Sequence, residues 1–249
     1  MVKGDVNGAR LETLRGLVRG ARRIAVLSGA GMSTESGIPD FRSPTGVYST
    51  LCSEEVFDIA AFRHDPSRFY RVMAPLYAAM GEARPNAGHE VLARLETLLG
   101  KEVCVATQNI DGLHQAAGSR NVQELHGGLS TMTCQRCGRC LPASDFRESL
   151  LAGTVPRHPG CGGVMKPDIV FFGENLPEAA LDTAMAAFMG ADLALVLGTG
   201  LAVYPAAMLP QRRQCGCALA IVNLTETPLD DQAEVVIRAR TGEVLPLLV

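Results

Sequence analysis

The chain has 249 residues, long enough for one large domain or for a domain with a smaller companion. Its formal net charge is −3, and basic residues come in runs as short as Arg22-Arg23 and Arg212-Arg213, which argues against direct nucleic-acid binding. The first 20 residues lack a signal-peptide pattern and no stretch reaches the ~18 apolar residues of a membrane span, so a cytosolic (cytoplasmic) protein without membrane contact is expected. Its eight cysteines then suggest metal ligands and buried thiols more than disulfides.

In chain order, Leu11, Leu14, Leu17 and Val18 share one face of a predicted helix over residues 9 to 19. A buried-type strand at Ile24 to Leu27 runs into a glycine turn. Asn86 is placed to cap a helix with the apolar stripe Val91, Leu92, Leu95 and Leu98. Further apolar strands are expected at 103–106, in "DLALVLGTG" (192–200), and at 218–223 and 234–237. Continuous apolar strands separated by helices predict an α/β fold, a Rossmann-like doubly wound parallel sheet covered on both faces.

Two stretches break that rhythm. Residues 46–85 look helical and carry Phe57, Phe62, Phe69, Tyr70 and Tyr77; residues 131–166 hold a cysteine cluster. Both read as insertions that build a smaller domain. The larger domain would then comprise 1–45, 86–130 and 167–249. In "TCQRCGRC" (133–140), Cys134 and Cys137 have the spacing of half a zinc knot. The second half is "RHPGCGG" (157–163), with Cys161 alone and His158 three residues before it. His158 as fourth ligand, Cys140 as fourth ligand, and no metal all remain open on spacing.

"LSGAGMSTESGIPDFRS" (27–43) follows the first strand. Gly29 and Gly31 permit a tight turn and close approach to a pyrophosphate, but Thr34 stands where the common dinucleotide fingerprint has its third glycine. Asp40, Phe41 and Arg42 combine an acid, an aromatic face and a guanidinium beside Pro39. "TQNIDGLH" (107–114) falls after the strand at 103–106, so Gln108, Asn109 and Asp111 are expected at the ligand crevice beside the glycine loop. In "ELHGG" (124–128), His126 is a candidate general base. "GTG" (198–200) and Asn223 end two more strands.

These motifs, with the cysteine pair, "KPDIVFFGE", "GTGLAVYPA" and "IVN", occur in sirtuin order from about Ile24 to Asn223. The chain resembles that family of NAD-dependent protein lysine deacylases, in its bacterial or archaeal type. The resemblance implies removal of an acyl group from a protein or peptide lysine, giving nicotinamide, O-acyl-ADP-ribose and free lysine. It implies catalytic roles for His126, Asn109 and Asp111. It implies cofactor contacts at Gly29, Ala30, Gly31, Thr34, Asp40, Phe41, Arg42, Gln108, Ile110, Gly198, Thr199, Gly200, Asn223, Leu224 and Ala239, and substrate contacts at Val170, Phe172 and Val203. Of Phe171 and Phe172, one is expected in the core, because adjacent strand residues face opposite ways.

Sirtuins hold structural zinc with two cysteine pairs. Three cysteines and one histidine are an accepted set, which favours Cys134, Cys137, His158 and Cys161. Two departures stand out. Gly200 replaces a serine of the family pattern, removing a hydroxyl contact to NAD. Met73, three residues after Tyr70, stands where sirtuins that take acidic acyl groups carry arginine, so neutral acyl groups, acetyl first, are expected.

Overall fold

The structure, a computed structural model, describes residues 3–40 and 54–249. Among the described residues nine strands appear in chain order: β1 Arg23–Ser28, β2 Glu102–Thr107, β3 Val122–Glu124, β4 Gly127–Cys134, β5 Cys140–Pro142, β6 Met165–Ile169, β7 Leu193–Leu197, β8 Ala218–Val222 and β9 Val235–Ile237. Six form one sheet in the order β3-β2-β1-β7-β8-β9, with every pairing parallel. The strand order reverses at β1, where the ligand crevice of an open α/β sheet lies.

The near-continuous apolar strands follow from burial on both faces. In β7, Leu193, Leu195 and Leu197 enter one core cluster, while Ala194 and Val196 enter another. β1 divides the same way, with Ile24 and Val26 on one side and Ala25 and Leu27 on the other. The helix Lys3–Gly20 seals the first face with Leu14 and Val18. The helix Ala87–Thr97 joins it with Val91, Leu92 and Leu95. Leu98 lies beyond that helix and is exposed. Ala184 and Phe188 of the helix Glu178–Gly190 cover the other face. The expected cap is present: the Asn86 side chain accepts from the N–H groups of Gly88 and His89.

The remaining three strands form an antiparallel sheet in the order β5-β4-β6. It packs on two helices, Ile59–His64 and Pro66–Glu82, started by the caps Asp58 and Asp65. One apolar cluster unites the two irregular stretches. Phe57, Phe62, Phe69, Tyr70 and Met73 meet Met132, Phe146, Met165 and Phe171. This sheet starts at Gly127 and ends at Ile169, a few residues outside 131–166 at each end.

Candidate active site

Six strand ends converge on one edge of the parallel sheet. β1 leads into two short 3₁₀ turns, Ala30–Met32 and Thr34–Ser36. The start of this loop is stitched to the end of β7: Gly29 N–H donates to Leu197 O at 3.0 Å and Gly31 N–H to Gly198 O at 2.9 Å. A Cβ on Gly31 would lie 2.9 Å from Gly198 Cα, so here glycine lets two backbones touch. Gly198 itself has φ 61°. The sequence suggests glycines for a pyrophosphate; the structure shows that their missing side chains first make room for another loop.

Asn109 is buried. Its Nδ2 donates to Gly29 O at 3.0 Å and to Ser33 Oγ at 3.1 Å. Ser33 Oγ donates in turn to Asp111 Oδ2 at 2.7 Å, and Asp111 Oδ1 receives Leu113 N–H at 2.9 Å. Asn109 and Asp111 are therefore held through Ser33, a residue the motif reading left out. Ala30, Ser33, Ile38, Pro39, Met80, Asn109, Ile110 and Asp111 line a small pocket. Met80 reaches it from the helix Pro66–Glu82, and no local sequence signal marks that.

His126 follows β3. Its Nδ1 lies 2.9 Å from Gln108 O. A carbonyl only accepts, so Nδ1 carries the proton and Nε2 presents a lone pair. Burial pushes the imidazole below its ordinary value, while the bond to Gln108 opposes that shift. The Gln108 side chain spans the crevice, donating to Thr199 Oγ1 at 3.0 Å. Asn223 is buried and donates to Thr225 O at 2.9 Å, while Leu224 is exposed. Gly200 is exposed, and a Cβ there would meet nothing within 4 Å. Thr34 donates back to Gly31 O at 3.2 Å. Asp40 is half-buried where this part of the described chain stops, and Phe41 and Arg42 lie outside the described residues. Ala239 is turned toward the core cluster that includes Val235 and Ile237.

Past β6, Val170 N–H donates to His126 O at 2.8 Å, tying the edge of the three-stranded sheet to the base. Phe172 is 38 % exposed and Phe171 1 %, so Phe171 is the core residue of the pair. Phe172 N–H donates to Phe57 O at 2.8 Å and Ile59 N–H to Phe172 O at 3.0 Å, which joins this edge to the helical stretch. Val203 is half-buried on the loop after β7. Tyr70 and Met73 are fully buried; the Tyr70 hydroxyl donates to Met165 O.

Cys134, Cys137, His158 and Cys161 gather with their ligand atoms within 4.8 Å of one another. Cys161 Sγ lies 3.5 Å from both Cys134 Sγ and Cys137 Sγ. Burial opposes thiolate formation at Cys134, but the N–H groups of Cys137 and Arg136 lead the contacts that outweigh it and bring the thiol down to about 7. Three thiols and an imidazole at this separation suit the closed tetrahedral shell of a structural zinc. Cys140 stands apart, its Sγ 3.6 Å from Asp168 Oδ2.

A family model described as "Sir2 family" matches residues 29–205. The chain belongs to the Sir2 family. The NAD-dependent protein deacetylase 1 of Pyrobaculum aerophilum is 42% identical over 98% of this chain and 95% of the relative. The NAD-dependent protein deacetylase of Thermotoga maritima is 46% identical over 87% and 88%. A Sir2 structure with a deacetylated p53 peptide and 3′-O-acetyl ADP ribose superposes with a TM-score of 0.90 at 42% identity, covering 96% of each chain. Sir2Tm bound to a propionylated peptide gives 0.85 at 42% identity, over 94% of this chain and 95% of the other. The family match spans β2 to β7 and the cysteine-histidine cluster, and the structural likeness extends over nearly the whole chain.

Proposed function

We infer that this Sir2 protein is an NAD-dependent protein lysine deacylase that returns free lysine and yields nicotinamide and O-acyl-ADP-ribose. One observation carries the reading. A half-buried imidazole, fixed with its Nε2 lone pair available, follows β3 in the same row of strand termini as Asn109 and Asp111. NAD, when bound, supplies the ribose carbon that the acyl oxygen attacks. His126 Nε2 then takes a proton from a ribose hydroxyl. Asn109 and Asp111, braced by Ser33, orient the ribose and carboxamide. Thr34, Gln108, Ile110, Thr199, Gly200, Asn223, Leu224 and the glycine loop contact the cofactor, with Asp40, Phe41, Arg42 and Ala239 assigned by family position alone. The peptide backbone adds as a strand between Val203 and the Val170–Phe172 edge.

Cys134, Cys137, His158 and Cys161 hold zinc, whose work is structural. The division into domains is read the same way, with 46–85 and 131–166 forming a small unit on the parallel-sheet domain; the shared apolar cluster supports it. Among the described residues no helix is long and apolar enough to cross a membrane. A cytoplasmic location fits the free cysteines.

Nicotinamide release is to be measured with an acetyl-lysine peptide, an unmodified peptide and no peptide, for the native protein and His126→Ala. Release that requires the acetyl peptide, matches deacetylation one for one and disappears in the variant is expected. Release without the acetyl peptide points instead to a hydrolase or ADP-ribosyltransferase. Acetyl-lysine should also outpace succinyl-lysine, since Arg71 beside Tyr70 is exposed and lies on another helical face; faster succinyl turnover would refute that preference.

A further inference from the structure

Two histidines that the reaction does not use lie behind the crevice. His89 is the third residue of the helix Ala87–Thr97 and His114 closes the "TQNIDGLH" motif. They are 0% and 1% exposed, with ring centroids 4.8 Å apart and planes at 62°. We propose that they act as one positioning pair, His89 presenting its Nε2–H to the Nδ1 lone pair of His114, and that this pair holds Asn109 and the glycine loop in register for the cofactor. The proposal rests on the deacylase reading above.

Hydrogen bonds fix both tautomers. Asn86 N–H donates to His89 Nδ1 at 3.3 Å, so the His89 proton sits on Nε2. On the other ring, His114 Nε2 lies 2.9 Å from Ser28 Oγ. Ser28 gives its own proton to Thr107 Oγ1 at 2.9 Å, so Nε2 of His114 is the donor and Nδ1 the acceptor. His89 Nε2 and His114 Nδ1 are both buried and have no hydrogen-bond partner among the described residues, each other included. One is a donor and the other an acceptor, on rings in contact. Reversing the Ser28 hydroxyl would set two donors against each other.

Both ends of the chain grip the site. Thr107 Oγ1 also receives Asn109 N–H at 3.0 Å, which sets the backbone from which Asn109 reaches Gly29 and Ser33. At the far end, Asn86 Nδ2 donates to Met32 O at 2.8 Å and to Ser36 Oγ at 3.0 Å. Donation runs from Asn86 to His89 and from His114 through Ser28 to Thr107, where Asn109 N–H donates in from the other side, so these contacts flank the glycine loop.

The test uses the full-length, zinc-loaded protein. Long-range proton–nitrogen spectra of ¹⁵N-labelled protein should show both rings neutral and protonated at Nε2, with the His89 Nε2–H resonance moving in His114→Gln. His114→Leu should raise the KM for NAD about tenfold and leave the acetyl-peptide KM unchanged, while His114→Gln, which keeps a donor and an acceptor, should stay within about twofold of the native enzyme. Equal impairment in the Gln and Leu variants, or an Nδ1–H tautomer on either ring, overturns the proposal. If the Leu variant does not fold, the spectra and the Gln variant decide. Absence of acyl-peptide-dependent turnover in native protein removes the deacylase reading, and the tautomers still test the pair.

Discussion

At the residue scale, the base is defined by what its other nitrogen does. His126 spends Nδ1 on a backbone carbonyl, and burial keeps the ring neutral below the ordinary value of 6.5. The acid limb of kcat/KM therefore falls below that value, and lowering the pH from about 7.5 to 6.5 should cost less than half of kcat/KM. A pH-rate profile that loses more than half over that step contradicts a depressed base. The sequence showed Asn109 and Asp111 because they follow a predicted strand, and His126 as a titratable residue in "ELHGG" that the family resemblance marks; the strand before it was not predicted. It did not show Ser33. A serine in a glycine-rich turn has many local partners, and only the fold brings its hydroxyl between Asn109 and Asp111. The contact between Gly31 and Gly198 was hidden for the same reason, since it joins segments that no local pattern connects.

Among the elements, the metal cluster and the capped helix carry the clearest consequences. Zinc content should be lost in His158→Ala and retained in Cys140→Ala, because Cys140 faces Asp168. The reverse result in a metal assay would return Cys140 to the ligand set. Chelation should loosen the three-stranded sheet and raise the peptide KM, since β6 leads straight into Val170 and Phe172. Asn86→Ala should cost about 1 kcal/mol through the lost cap, read as a lower urea midpoint, with a further rise in the KM for NAD because Asn86 also holds Met32 and Ser36. A helix cap is legible from residue type and position. Its second duty to the glycine loop is not, because that bond spans 54 positions. The spacing of His158 and Cys161 suggested a knot, but only the fold separated His158 from its rival.

For the whole molecule, the buried histidines make acid costly. Burial lowers His89 to about 4 and His114 to about 3, against 6.5 when unfolded. The unfolded chain binds the extra protons, so stability is present in full above 6.5 and drains away as the pH falls toward those folded values. Urea midpoints should drop between pH 7.5 and 5 with zinc in excess, and drop less in His114→Gln. A native protein whose midpoint ignores that interval would mean that one ring is charged or exposed. The α/β alternation was readable because strands buried on both faces must be apolar throughout. How the two irregular stretches combine was readable only as composition, since their shared core joins segments far apart in the chain.

The placement of β1 also shapes how the protein is made. It is the second-earliest element in the described chain and the middle of the finished sheet, between β2 and β7. A ribosome delivers its β7 neighbour only after residue 192, when most of the chain has emerged. Until then one hydrogen-bonding edge of an apolar strand has no native partner, a state open to pairing with other chains. Slow synthesis through the helical and cysteine-bearing stretches lengthens that exposure, so the yield of native protein should depend on growth temperature and chaperone supply more strongly than its finished stability suggests.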